Sequence, residues 1–417
     1  MTEIDFGKKK SVSGGYTSPL DGPGPAPDPA WFEQPDGEPP FARYVLTTPL
    51  HLVAASESRT NAWTDWAGYT VASVYTNVEQ EYDALRTRAG LSDISPLVKY
   101  RISGKEAVAY LDRLTTRSCA AMKADSALRS VICAGDGNIV TEGLLFRLGE
   151  TEFRFVGRSP HLDWLLEAAE GFEVHVEDVS GTIAALSLAG PLAADVLVAA
   201  GIAVAPGLEP GRALWAEPGR MPVYVSRTGM LGGLEFELWI DPEDAPILWR
   251  RLLDAGTPFG LAPVGMDVRD IARLENGVAL EGIDYTGAFD ALQADAMCSP
   301  YDLGLGDRVD LERPCFNGQQ ALARIERKGA CHLLAGLEID AAPDAGLSDV
   351  FTGGERKVGR ITSSAWSPAL QRHVALAIVE AAAFGTSGDF SVRVGGRHVP
   401  ARSIKRPFLQ FSAKNPD

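Results

Sequence analysis

The sequence predicts an α+β protein that ends in a smaller all-β domain. Three observations carry that prediction. Between about residues 41 and 330, strand-like apolar runs alternate with segments of helical spacing. Over about the last 85 residues the texture changes to short apolar runs (HLLAGLEI, HVALAIVEA, FSVRV) separated by Gly and Asp. Ahead of both, residues 1–40 hold 8 of the 27 prolines and no sustained apolar pattern. The boundaries therefore read 1–40, 41–330 and 331–417.

The segment DGPGPAPDP cannot enter a helix or a sheet. It reads as an extended arm, either solvated or docked through Trp31 and Phe32 on the body or on a second copy of the chain. Order begins near Phe41. Segment 78–89 has helical spacing and stops at Gly90. Leu97–Ser103 alternates as a strand, and after Gly104 the run KEAVAYLDRL reads as the next helix. Between Leu128 and Arg147 two apolar runs flank Asp136-Gly137-Asn138, so a β-hairpin is expected. Strand–helix pairs follow: FRFVG with HLDWLLEAAE, IAALSLAG with PLAADVLVAA, and LEFELWI with EDAPILWRRLLDAG. No internal repeat of fixed period is visible.

At 417 residues and 44.5 kDa the chain is long enough for two or three domains. Apolar residues make up 45% and charged residues 23%, a mix that can bury a sizeable core. The 39 bases against 55 acids leave −16, which argues against a nucleic-acid surface, because phosphate binding needs a basic stripe. No run of about 18 apolar residues exists to span a membrane. The N-terminus lacks the apolar stretch of a signal peptide. Five scattered cysteines and six histidines without ligand spacing support neither a disulfide framework nor a metal site, and His332 beside Cys331 reads as a strand residue. A cytoplasmic, metal-free protein is the expectation. The sequence has no P-loop, no GxGxxG after a strand, no HExxH and no GxSxG, so ATP, nicotinamide, zinc and serine-hydrolase chemistry have no positive support.

Five groups of segments stand out, in order. Thr48-Pro49-Leu50-His51, Trp66-Ala67-Gly68-Tyr69, EYDALRTRAGLSDIS and ISGKEA form the first. The hairpin GNIVTEGLLFRL is the second and LSLAGPLA the third. The fourth joins SRTGMLGGLEFELWI to GMDVRDIARLENGVALEGID. The fifth joins SPYDLGLGDRVDLERPCFNGQQAL to GRITSSAWSPALQRHVALAIV. Together, over residues 47–410, they resemble the tetrahydrofolate-dependent aminomethyltransferase family, founded on the T-protein of the glycine cleavage system. The resemblance implies that family's multi-domain, folate-binding fold: a body of two interleaved α+β domains and a C-terminal β-barrel. Tetrahydrofolate is the implied cofactor.

The resemblance also assigns roles. Glu237 matches the last Glu of the family's Y-T-G-E-x-G-[FY]-E segment, which accepts N–H donors from one edge of the pterin ring. A carboxylate suits that task because it takes two adjacent donors at once. From its neighbours alone, Glu237 lies opposite Phe236 and Leu238, facing either solvent or a cavity. Arg269 matches the Arg of A-R-D-x-L-R-L-E, which contacts folate, and it can also pair with Asp267 or Asp270. Residues 391–417 carry Arg393, Arg397, Arg402, Lys405, Arg406 and Lys414 against Asp417. They form either a solvated tail or a landing site for the folate carboxylates. Trp66 can stack on a substrate and Trp366 on the pterin, or either can pack in the core.

The sequence departs from the T-protein in places. The aspartate pair after the glycine turn is Thr141-Glu142, and the Tyr and Glu of the fourth segment are Arg227 and Met230. Glu142 keeps the charge on a side chain one methylene longer, and a misplacement of about 1 Å can cost on the order of a hundredfold in rate. This pattern resembles the branch of the family that demethylates small molecules such as methoxylated aromatic acids. The expected reaction is methyl transfer from a small methylated acid to N5 of tetrahydrofolate. Arg227 is the expected carboxylate partner. Glu142, Tyr69, Tyr100, Tyr285 and His51 are the candidates to position the reactants or protonate the leaving oxygen. Two alternatives stay open. One is a glycine-cleavage aminomethyltransferase served by a lipoyl carrier protein. The other is a non-catalytic folate-binding protein of the iron–sulfur assembly type, to whose C-[FY]-x-G-Q signature the segment Cys315-Phe316-Asn317-Gly318-Gln319 is similar.

Overall fold

Alternation along a few strands organises the body. In Glu235–Ile240, Phe236, Leu238 and Ile240 point to one side, and Glu235, Glu237 and Trp239 to the other. This strand lies third in a six-stranded sheet ordered Ala213–Ala216, Val223–Ser226, Glu235–Ile240, Ala184–Ala189, Ala89–Asp93 and Leu261–Pro263. Phe236, Leu238 and Ile240 share a buried cluster with Val196 and Leu197 of helix Ala193–Ala199, and with Trp249 and Leu252 of helix Ala245–Gly256.

A five-stranded sheet packs on the other face, ordered Ser126–Cys133, Ile139–Arg147, Glu152–Gly157, Val98–Ser103 and His175–Asp178. Phe146 meets Trp239 edge-on at 4.4 Å, and Arg154 lies over the Trp239 ring at 5.6 Å. The two sheets therefore share an apolar layer that includes Val156, Ala185 and Tyr224. The predicted hairpin joins the first two of these strands; Gly137 takes φ +90° in its turn while Asp136 accepts the Asn138 amide. A three-stranded sheet (Leu46–Thr47, Tyr69–Val74, Ala62–Trp66) precedes both. Helix Val78–Thr87 starts where the Asn77 side chain accepts the Gln80 amide.

The computed structural model describes residues 46–203, 205–291, 297–343, 348–384 and 389–409. The proline-rich arm, the expected onset of order near Phe41 and Lys414 lie outside them. From His332 onward six strands close a barrel in the order His332–Ile339, Arg372–Glu380, Arg356–Ser367, Asp349–Thr352, Asp389–Val394 and Arg397–Ile404. Leu337, Val350, Val379 and Val392 are among the side chains that fill it. This is the predicted all-β domain, and its strands are the short apolar runs read from the sequence.

Buried polar groups tie barrel to body. Glu275, fully buried, accepts Arg86 Nη2 at 2.6 Å, the Tyr82 hydroxyl at 2.7 Å and the Ser367 hydroxyl at 2.6 Å. Arg273 donates to Asp284 at 2.6 Å and to the Ser363 hydroxyl at 2.7 Å. Arg406, one of the six C-terminal cations, donates to the Gly277 and Leu303 carbonyls. Among the described residues no helix is long and apolar enough to cross a membrane.

Candidate functional site

Beside the apolar layer between the sheets lies a solvent-open cavity. Ile94, Leu97, Leu144 and Val156 form its apolar wall. The polar wall follows from strand alternation. Glu235 and Glu237 share a face with Trp239, and Glu142 shares one with Leu144 and Phe146. Arg158 continues the row of Arg154 and Val156 just past the end of its strand, and Arg129 enters beside its cross-strand partner Leu144. Helix Met266–Glu275 adds Arg269, and the segment after it adds Glu281.

The two strand glutamates are bonded differently. Glu235 is saturated: Oε1 accepts the Ser187 hydroxyl at 2.7 Å, and Oε2 accepts the Met230 and Leu231 amides at 2.8 and 2.9 Å. Gly229 makes room for this, since a Cβ there would fall 1.9 Å from Glu235 Oε2. Glu237 is 5% exposed, and its Oε2 has no hydrogen-bond partner. Leaving a buried acceptor unmatched costs free energy. Burial, and then the Glu235 charge, push the Glu237 carboxyl up to about 7; Arg129, the Thr228 hydroxyl and Arg269 pull the other way.

Arg269 is the matching donor. It is 7% exposed, and its Nη1 has no hydrogen-bond partner, standing 3.9 Å from Glu235 Oε1. Burial lowers its pKa, against the charges of Glu235, Glu237 and Asp93. Asp270, one of the expected partners of Arg269, instead takes Arg273 at 2.7 Å. An acceptor and a donor, both buried and both short of a partner, suit a flat ligand that presents N–H groups beside a carbonyl.

Across the cavity Glu142 Oε2 accepts Arg308 Nη1 at 3.0 Å. Burial raises the Glu142 pKa above the usual carboxylate range, opposed first by Arg308 and then by Arg129. Glu281 is held by His161 Nε2 at 2.9 Å and the Thr141 hydroxyl at 2.8 Å. Ligand atoms of His161, Glu281 and the exposed Asp290 lie within 4.8 Å of one another, a grouping that no spacing in the sequence displays.

Of the residues singled out in the sequence, Glu142, Glu237 and Arg269 share this cavity. Met230, which stands where the family has Glu, lines it too, and the other candidates do not. The Tyr100 hydroxyl accepts the His161 amide at 2.7 Å, behind the wall. Tyr285 is buried with its hydroxyl unpartnered, and burial together with the Glu142 and Glu281 charges raises its pKa well above the usual phenol value. Trp66 is buried under Arg158, whose guanidinium sits 5.7 Å from its ring. Tyr69 packs on the inter-sheet layer. His51 opens a helix and stacks on Trp63 at 4.8 Å. Arg227, expected at the substrate, turns outward from its strand end and donates to the Leu208 carbonyl at 3.0 Å. Trp366 is 45% exposed on the barrel, against His373 at 5.0 Å.

The C-terminal cations are spread around the barrel; Arg393 lies over Phe351, and Arg402 pairs in register with Asp389 and Glu338. The Cys-Phe-Asn-Gly-Gln segment holds the chain together locally. Asn317 donates to the Cys133 carbonyl, Gln319 to the Leu311 and Arg313 carbonyls, and exposed Cys315 accepts from Arg113 at 3.3 Å.

Arg158, Arg129, Glu235, Glu281, His161 and Arg308 were not singled out by sequence. Alternation could have found Arg158 and Glu235, which fall in step with Val156 and Glu237. Arg308 and Glu142 are 166 positions apart, as His161 and Glu281 are 120 apart, and no local pattern links them.

Comparison with known proteins agrees with the fold. Residues 52–299 match the model of the GCVT N-terminal domain, and residues 333–410 match that of the glycine cleavage T-protein C-terminal barrel domain. An aminomethyltransferase of Moorella thermoacetica is 33% identical over 357 residues, covering 84% of this chain and 94% of that protein. One from Streptomyces avermitilis is 34% identical over 359 residues, covering 83% and 93%. Among solved structures, glycine cleavage system aminomethyltransferase T of Bartonella henselae superposes with a TM-score of 0.79 at 26% identity, covering 88% of this chain and 99% of that one. With both domain models in order and relatives above 30% identity across most of its length, the chain belongs to the glycine cleavage T-protein (GCVT) aminomethyltransferase family.

Proposed function

We propose that the protein transfers a one-carbon unit to tetrahydrofolate, and that the unit is an aminomethyl group, as the names of its relatives support. One observation carries the cofactor: the buried, unpartnered Glu237 Oε2 in a cavity that also holds the unpartnered Arg269 Nη1. The residues fit the group. A tetrahydropterin presents adjacent N–H donors on one edge with a carbonyl beside them; Glu237 would take the donors and Arg269 would donate to the carbonyl.

When bound, tetrahydrofolate supplies a nucleophilic amine that accepts the one-carbon unit. Glu237 and Arg269 fix the orientation, and Ile94, Leu97, Leu144 and Val156 exclude water. Glu142 is the carboxylate placed to hold or move a proton on the donor side, and Arg308 keeps it aimed.

A second reading, methyl transfer from a small methylated acid, draws support from the same Glu142–Arg308 pair. A carboxylate already neutralised by a guanidinium is a weak partner for a cationic aminomethyl group. Anaerobic turnover separates the two. With an aminomethylated lipoyl carrier, the first reading predicts methylene-tetrahydrofolate and ammonia. With methylated acids, the second predicts 5-methyl-tetrahydrofolate; both products are read by mass spectrometry. Bound tetrahydrofolate with neither product would sink both.

A further inference from the structure

Lysines are almost never fully buried without a carboxylate beside them, because taking an ammonium out of water is costly. Lys99 is such a lysine. It is 0% exposed, and among the described residues no carboxylate lies within ion-pair distance of it. Its Nζ donates instead to two backbone carbonyls, that of Ser95 at 2.9 Å and that of Leu97 at 2.8 Å. Burial lowers its pKa to about 8, against the attraction of Asp93 and then Glu237, so the group is still mostly an ammonium at pH 7.

Both carbonyls belong to the crossover between the sheets. Strand Ala89–Asp93 ends in the six-stranded sheet, strand Val98–Ser103 begins in the five-stranded one, and residues 94–97 join them. Amides fasten the first end of the crossover: Ile94 donates to the Ala185 carbonyl at 2.9 Å, and Ser95 to Asp93 Oδ1 at 2.9 Å. Pro96 has no amide to give. Lys99 reaches back from the second sheet and closes the other end. Ile94 and Leu97 stand in the apolar wall of the cavity, as does Val156, the cross-strand partner of Lys99; Lys99 itself is not among the lining side chains. An apolar side chain of the same length would fill the space and leave both carbonyls without a donor, whereas one ammonium serves the two with charge-assisted bonds. We propose that Lys99 is a positioning residue for the cofactor: by holding the Ser95 and Leu97 carbonyls, it sets Ile94 and Leu97 where the pterin packs against them. A wall ordered in advance spares the ligand the cost of ordering it. The proposal rests on the tetrahydrofolate reading and adds to it the group that keeps the slot in shape.

The test reads the wall and the ligand separately, on the full chain. Amide hydrogen exchange at pH 7, followed by mass spectrometry, reports on residues 94–97, and anaerobic calorimetry reports on tetrahydrofolate. Lys99→Met keeps the length of the side chain and removes its donors. Exchange at residues 94–97 should quicken by about tenfold or more, while the barrel strands keep their protection, which shows that the variant folds. The Kd for tetrahydrofolate should rise by about tenfold. Lys99→Arg, a cation that still donates to carbonyls, should recover part of both losses. Should Lys99→Met not fold, Lys99→Gln, which keeps a donor without the charge, takes its place with the same changes in smaller measure. Unchanged exchange at residues 94–97, or unchanged tetrahydrofolate affinity, would overturn the proposal. So would losses that Lys99→Arg does not relieve at all, the mark of a packing defect. If wild type bound no tetrahydrofolate, the cofactor reading would fail instead, and the exchange rates would still report whether Lys99 holds the wall.

Discussion

Replacing Glu237 with Gln keeps the size of the side chain and removes its titration. In the folded protein, burial and then Glu235 raise this carboxyl from 4.5 to about 7. Holding the charge in the ligand-free cavity therefore costs about 3 kcal/mol. The sign for stability follows. Between 4.5 and about 7 the folded protein keeps a proton that the unfolded chain has released, so this group's contribution is complete below 4.5 and is lost as pH rises through 7. Ligand binding runs the other way, because N–H donors need the carboxylate. At pH 6 about nine in ten Glu237 side chains are protonated, and at pH 8 about one in ten. The Kd for tetrahydrofolate should therefore rise about tenfold from pH 8 to pH 6. Glu237→Gln should abolish that slope and weaken binding at pH 8 by roughly ten- to a hundredfold, the loss of a charge-assisted hydrogen bond. Anaerobic calorimetry from pH 6 to 8 measures both. A flat wild-type profile, or a variant that binds as wild type does at pH 8, would refute the reasoning.

Other parts of the account make separate demands. Arg308→Leu removes the first charge opposing the upward shift of Glu142, so the acidic limb of kcat/KM should move up by about one pH unit or more; an unmoved limb would take Glu142 out of the chemistry. Gly229→Ala would place a Cβ 1.9 Å from Glu235 Oε2 and dislodge the carboxylate that holds the Met230 and Leu231 amides. Tetrahydrofolate affinity should fall by about tenfold or more, with a lowered Tm; unchanged affinity would show that Glu235 does not brace the site. Glu275→Ala strips three partners of a buried carboxylate at the junction of body and barrel. Urea unfolding should show a loss of about 3–5 kcal/mol, and a loss below about 1 kcal/mol would mean the junction is held by other contacts.

Local pattern carried the architecture because it rests on short-range rules. Period-two runs became strands, the Asp-Gly-Asn turn became the hairpin, and the Gly- and Asp-parted runs of the last domain closed into the barrel. Family motifs then pointed to Glu237, Arg269 and Glu142, which the fold brings into one cavity. The rest depends on what meets across the sheets. Glu235 and Glu237 look interchangeable in the sequence, and only the fold shows one saturated and the other with a free oxygen. Arg227 reads as a pocket cation by motif position, yet the end of its strand turns it toward the Leu208 carbonyl. Tyrosines and tryptophans read as site residues by their chemistry, but Trp66, Tyr100 and Tyr285 are buried away from the cavity lining. Besides Arg269, the cations that reach the cavity are Arg129, inside a strand of apolar neighbours, and Arg158, just past the end of another.

The most direct test of the central claim is a crystal structure of the protein grown anaerobically with tetrahydrofolate. The account predicts the pterin edge on Glu237 Oε2, its carbonyl toward Arg269, and the reacting amine on the side of Glu142. Pterin density elsewhere, with Glu237 still unpartnered, would contradict it.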